Sequence, residues 1–274
     1  MIHRVPVAAR VGLAAMVVFN LAPFYWVVTS SLKSATEVVS FPATLFPHTV
    51  TLDAYREIWI SAGFFGYFVN SMLVAGGTAL LSGTLALSAA YGLSRFRFPG
   101  HGAVMVILLS SQMIPGVLLV VPYFKLMTVV GLFDTRIGLI LALTTITLPF
   151  SVWMLKGYMD TIPLELDQAA MLDGASRMQI LTRVIFPIVL PGLIATATFA
   201  FLLAWGDLLW ALCLISDEAR ITMSLGLTRL MGQFKVLWSQ TMAAVVIASV
   251  IPAVLYTCFQ RYLVRGYAGA SVKE

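Results

Sequence analysis

Charge is what this chain of 274 residues has least of: 11% of it is Asp, Glu, Lys or Arg, against 60% hydrophobic residues. So little polar surface cannot coat a water-soluble globule of this size, which makes the chain an integral membrane protein. No polar stretch exceeds about 35 residues, so a separate soluble catalytic domain has no room. The two cysteines, Cys213 and Cys258, sit in apolar runs far apart, which excludes a disulfide framework and a CxxC metal or redox site. His3, His48 and His101 are equally dispersed, so a metal site or proton relay is not expected. No G-x-x-x-x-G-K-[ST] loop is present to cradle nucleotide phosphates, and no HExxH, paired intramembrane aspartate or Ser/His pair points to an intramembrane enzyme. The 17 basic and 12 acidic residues are scattered, leaving no basic stripe for nucleic acid. Internal repeats and low-complexity tracts are also missing.

What remains is apolar runs. A bilayer core about 30 Å thick needs about 20 apolar residues in a helix, since backbone polar groups must be satisfied within the segment. Six stretches qualify: Val11 to Leu32, Phe68 to Leu93, Val104 to Val121, Gly138 to Tyr158, Ile185 to Ile215 and Ala243 to Tyr262. The first is too long for a signal peptide and lacks a small-x-small cleavage site, so it is expected to be retained. Six spans put both termini on one side. The basic residues on that side (Arg4, Arg10, Arg95, Arg97, Lys156, Arg177, Arg183, Arg261, Arg265 and Lys273) outnumber those opposite, which predicts cytoplasmic termini. A single membrane domain covering 1–274 is the simplest organisation.

Between the fourth and fifth spans the hydropathy lapses, from Ile162 to Gly192. Pro163 suits a helix start, and Leu164 to Met171 has helix-forming composition with Glu165 and Asp167 near its positive end. Asp173-Gly174 supplies a turn, and Ala175 to Phe186 forms a second helix expected to stop at Pro187 and Pro191. Physics alone leaves open a surface-lying amphipathic connector. The residues, however, resemble the signature loop of membrane subunits of bacterial ABC importers, E-A-A-x-x-x-G followed by I-x-L-P. Ala169, Ala170, Gly174 and Pro187 match, Val184 and Phe186 replace the Ile and Leu, and Gln168 stands where the family has glutamate. Asn70-Ser71, Met113-Ile114-Pro115, Pro122-Tyr123, Gly131 to Thr135, Trp205-Gly206-Asp207 and the ending from Arg265 to Glu274 are similar to the carbohydrate-importer pattern, with Gly206, Ala270 and Ser271 as departures. The best match is the shorter, six-span membrane subunit of the maltose-type class.

The resemblance implies an all-α integral membrane protein of the type I ABC importer permease fold, with a cytoplasmic coupling helix in the loop 159–183. It implies a heterodimer with a second permease subunit, two ATP-binding subunits that hold ATP and Mg, an extracytoplasmic solute-binding protein and a carbohydrate-like solute. The setting is the bacterial cytoplasmic membrane, with no cofactor and no catalytic role in this chain. Docking to the ATPase falls to Glu165, Asp167, Gln168, Ala169, Ala170, Asp173, Gly174, Ala175 and Arg177. The tail residues Gly269, Ala270 and Lys273 are expected to enter the ATPase dimer, and the outward segment Ser216 to Met242 to meet the binding protein.

Polar groups within the spans are the candidates for a translocation path: Asn70, Gln112, Trp205 and Asp207. An acid at a span centre costs roughly 2.5 to 3.5 kcal/mol on insertion scales. Asp207 therefore lines the path, pairs with a partner subunit, or sits near an interface. Interhelical hydrogen bonding competes as a role for Asn70 and Gln112, and packing competes with sugar stacking for Trp205, Trp210, Trp153 and Trp26. A self-sufficient secondary carrier or channel is the alternative reading. It would call for matching repeats and several intramembrane ionisable groups, where the spans offer only Asp207.

Overall fold

The computed structural model describes residues 6–61, 63–232 and 236–271, with only the backbone described for 61 and 261–271. Arg4, His3, Lys235 and Lys273 lie outside the described residues. Every regular element among the described residues is helical: α1 (Val7–Ser31), α2 (Asp53–Ser61), α3 (Phe64–Arg95), α4 (His101–Ser111), α5 (Gly116–Val129), α6 (Arg136–Met159), α7 (Glu165–Leu172), α8 (Arg177–Gln179), a π-helical segment (Ile180–Ile185), α9 (Phe186–Gly206), α10 (Leu209–Leu214), a 3₁₀ turn (Glu218–Arg220), α11 (Met223–Leu230) and α12 (Trp238–Ser271). Among them, five helical stretches are long and apolar enough to cross a membrane: α1, α3, α6, the run Arg177–Gly206 and the Trp238–Gln260 portion of α12. The pair α4 and α5 makes a sixth if it counts as one span.

That pair corrects one expectation. Val104 to Val121 is not a continuous helix: the axis turns by 98° between α4 and α5. Pro115 cannot donate to the helical ladder and disfavours the α conformation at Ile114, so the last turn tightens into three-residue bonds, Gln112 N to Leu109 O and Met113 N to Ser110 O. The Gln112 amide then reaches across to the Ile146 carbonyl at 2.8 Å. The helix beyond the break runs to Val129, past the expected end of the span.

A second correction concerns Pro187. The helix does not stop there; it passes through the π segment into α9, which also contains Pro191. A proline ring clashes with the carbonyl four residues back in an α-helix, and the wider π turn before Pro187 relieves that clash.

The chain divides into two compact units, the described residues of Met1–Phe65 with Gly226–Ile251, and those of Gly66–Leu225 with Pro252–Glu274. In the first, α1 buries only Thr29, Ser30 and Ser31, so nearly all of its apolar surface is left to lipid or to another chain. Its end is tied down where Ser31 Oγ meets the Tyr55 hydroxyl at 2.8 Å. Lys33 is buried, its ammonium donating to the Thr44 carbonyl at 2.5 Å and lying 4.7 Å from the centre of the Trp26 ring.

In the second unit α3, α6, the π segment and α9 build the core. Ala86, Ala90 and Leu93 pack with Val152, Leu155, Met159, Ile180, Ile185 and Val189. Small residues let the backbones close: a Cβ on Gly192 would lie 2.7 Å from the Tyr158 ring. Ser82 Oγ sits 3.2 Å from both Ser151 Oγ and Thr147 Oγ1, giving α3 and α6 a polar seam inside the apolar core. These contacts hold the loop between α6 and α9 firmly against the end of α3.

Candidate functional site

The lapse in hydropathy folds into a helix, a turn and a helix. α7 ends in a Schellman arrangement, in which the Ala175 N–H donates to the Ala170 carbonyl and the Gly174 N–H to that of Met171, each at 3.0 Å. Gly174 carries φ +81°, the left-handed conformation that a side chain resists. Ser176 and Gln179 then form a capping box: the Ser176 N–H donates to Gln179 Oε1 at 2.8 Å and the Gln179 N–H to Ser176 Oγ at 3.4 Å.

The loop has two faces. Glu165, Gln168, Ala169, Asp173, Gly174 and Arg177 are exposed, and with them Leu164, Leu166, Met171, Leu172 and Met178. Leu172 is 90% and Met178 67% accessible, so this face carries apolar as well as charged groups. Ala170 and Ala175 are half-buried against the core, and Asp167 is fully buried. The Arg177 guanidinium stacks on Phe96, 5.3 Å from its centroid.

Asp167 meets two residues of α3 one helical turn apart. Arg95 Nε approaches Asp167 Oδ2 to 3.1 Å, with both side chains under 5% accessible, and the Tyr91 hydroxyl donates to Oδ1 at 3.2 Å. The Arg95–Asp167 contact is a charge pair rather than an aligned hydrogen bond. The other guanidinium nitrogens donate to the carbonyls of Met159 at 3.4 Å and Ile162 at 3.1 Å. Alongside, Ser94 and Lys156 share the Asp160 carboxylate, at 2.8 Å and 2.7 Å.

A second polar cluster lies around the other end of α3. Asn70 is 2% accessible; its amide donates to the Ala219 and Ile221 carbonyls at 2.9 Å, and its oxygen accepts from Arg136 Nε at 2.8 Å. Asp134, at φ +56°, accepts the Ser216 and Asp217 N–H groups at 2.9 and 3.0 Å and pairs with Arg220. Burial works to raise the Asp134 pKa, but those two N–H donors and the guanidinium outweigh it, so the net direction is downward.

The remaining expected path residues are spread out. Trp205 is buried, stacked on Phe201 with centroids 5.8 Å apart and edge-on to Phe68, so in this conformation neither it nor Asn70 opens to a solute. Gln112 is exposed at the bend between α4 and α5. Asp207 is half-buried at the break after α9, where its carboxylate accepts the Ala211 N–H at 3.1 Å and caps α10. Capping was not among the roles considered from the sequence. At the tail, the backbone of Gly269 and Ala270 is helical, in continuation of α12. Sequence reasoning missed Tyr91 and Arg95; Arg95 had entered only as a topogenic charge. The one signal was their four-residue spacing, which puts both on one face of α3.

Among the described residues the chain is all-helical, with five or six stretches long and apolar enough to cross a membrane. Residues 82–269 match the family described as the binding-protein-dependent transport system inner membrane component, and the chain belongs to that family: it is a membrane permease subunit of an ABC importer. It is 36% identical to the inner membrane ABC transporter permease protein YcjP of Escherichia coli, over 96% of this chain and 94% of that one. The trehalose transport system permease protein SugB of Mycobacterium tuberculosis is 34% identical, over 93% of each. A solved bacterial ABC transporter involved in import of the acidic polysaccharide alginate shares the fold, with a TM-score of 0.83 at 21% identity over 93% of this chain and 95% of that one.

Proposed function

We propose that this chain is one of two permease subunits of an importer for a carbohydrate or carbohydrate-like solute, driven by two copies of an ATPase that dock on α7. Relatives named for trehalose, sulfoquinovosyl glycerol, diacetylchitobiose and trehalose/maltose transport support the solute class. The observation that carries the docking role is the exposed face of Glu165, Gln168, Ala169, Leu172, Asp173, Gly174 and Arg177, with apolar groups where a connector would be polar. Ala170, Ala175 and Asp167 support that face from behind. In this reading the chain crosses the membrane six times, α4 and α5 counting as one broken span, with both termini and α7 in the cytoplasm and 1–274 acting as a single permease domain.

At the opposite side, Ser216 to Met242 meets the solute-binding protein. Gln112 and Asp207 border the path, with Asn70 and Trp205 framing it. Gly269, Ala270 and Lys273 reach the ATPase pair. ATP closes the ATPase dimer, α7 moves with it, and the spans exchange one packing for another. Gly174→Leu tests the reading, because it forces a bulky side chain into a left-handed conformation on the docking face. Transport and solute-stimulated ATP hydrolysis should both be lost while the two permease subunits still co-purify; solute-stimulated hydrolysis at the native rate would refute docking at α7.

A further inference from the structure

We propose that Arg95 and Asp167 form a buried clamp that makes α7 and the end of α3 move as one body, so that Asp167 is a positioning residue for coupling and not a contact with the ATPase. This rests on the docking role of α7. Asp167 is the one charged residue of α7 turned away from the exposed face, and the ion pair it forms is almost wholly withdrawn from water. Burying two charges is costly, and an apolar pair of the same volume would commonly hold the helix as well or better, so stability alone is a poor account of it. A paired charge instead fixes one register of α7 on α3.

The need for such a register follows from how α7 is attached. It joins α6 through the turn at Thr161–Pro163 and joins α8 through Gly174 at φ +81°. Neither joint is a continuous helix, and a displacement of α7 would be absorbed in them unless a direct tie carried it elsewhere. Arg95 is that tie: a single guanidinium touches Asp167 of α7, the carbonyl of Met159 at the end of α6 and the carbonyl of Ile162 in the turn between them. Tyr91 holds the second carboxylate oxygen. From there α3 runs without interruption to Asn70, which grips the Ala219 and Ile221 carbonyls, roughly 37 Å away at the 1.5 Å rise of an α-helix. Movement of the docking helix therefore has a rigid line to the segment on the binding-protein side.

The test is solute transported per ATP hydrolysed, measured on the complete importer in lipid vesicles with its ATPase and binding protein. The double variant Arg95→Gln/Asp167→Asn removes both charges together, so no unpaired buried charge is left, and it shortens residue 95 enough to release the carbonyls of Met159 and Ile162 as well. It should co-purify with the ATPase yet transport about tenfold less per ATP, a loss within the usual span of coupling between sites. Asp167→Glu, which keeps the charge, should stay much closer to the native ratio than Asp167→Asn. A double variant within twofold of the native ratio overturns the clamp. So does equal coupling in Asp167→Glu and Asp167→Asn, or loss of ATPase from the double variant, which would make the pair part of the contact itself. Leu172→Asp on the exposed face separates the two claims: if it leaves ATPase binding and transport intact, docking at α7 fails, whatever the double variant does.

Discussion

The two ends of α3 carry the same chemistry in different surroundings. At one, Arg95 and Asp167 are an arginine–aspartate pair sealed from water; at the other, Arg220 and Asp134 are an arginine–aspartate pair with 38% and 23% of their side chains accessible. The sealed pair joins helices that are already packed, whereas the open pair ties down a chain segment, Ser216 to Ile221, that lies between the candidate spans. Screening by water makes the second contact cheap to form and cheap to lose. Desolvation makes the first costly to break from one side only. Burial, and not the identity of the residues, decides which pair fixes a geometry and which one tethers.

The largest expected difference is in one-sided removal. Asp167→Ala leaves the Arg95 charge buried and should destabilise the assembled complex by about 3–5 kcal/mol. Arg220→Ala should cost about 1 kcal/mol or less. Thermal unfolding of the two variant complexes in the same lipid measures both, and equal shifts would erase the distinction. A smaller effect concerns pH. The Asp134 pKa lies below its unfolded value of 3.8, so its contribution is complete above that value and disappears as the pH falls through the lower folded one. Asp134→Asn should lower stability at neutral pH and remove this part of the acid dependence; an unchanged acid profile would show that other carboxylates govern it.

Much of this architecture was legible in the residues. Apolar length marked the spans, and Pro163 with Asp173-Gly174 marked the helix and turn of the loop, because both signals are local. The break at Pro115 was harder to see, since the apolar run from Val104 to Val121 is uniform and hydropathy does not register a change of axis. Pro187 misled in the other direction: the rule that proline stops a helix holds for α geometry, and a π turn evades it. The contacts between distant segments were out of reach. Tyr91 and Asp167 are 76 residues apart, Asn70 and Ala219 are 149 apart, and one sequence offers no pattern that pairs them. Asp207 shows a milder case: its place in an apolar run pointed to the path, a partner or an interface, and nothing in the sequence showed that its carboxylate also caps a short helix.

The account turns on the exposed face of the loop after α6 being the place where the ATPase binds. Leu172 is the most accessible large hydrophobic residue of that face, so a cysteine there, in a chain whose Cys213 and Cys258 are replaced by alanine, places a reactive thiol at the contact. A short thiol cross-linker applied to the complete importer should join Leu172→Cys to a cysteine introduced in the groove of the ATPase, with a yield that changes between nucleotide-free and ATP-bound states. A cross-link from Leu172→Cys to lipid-facing probes only, with none to the ATPase in either state, would contradict it.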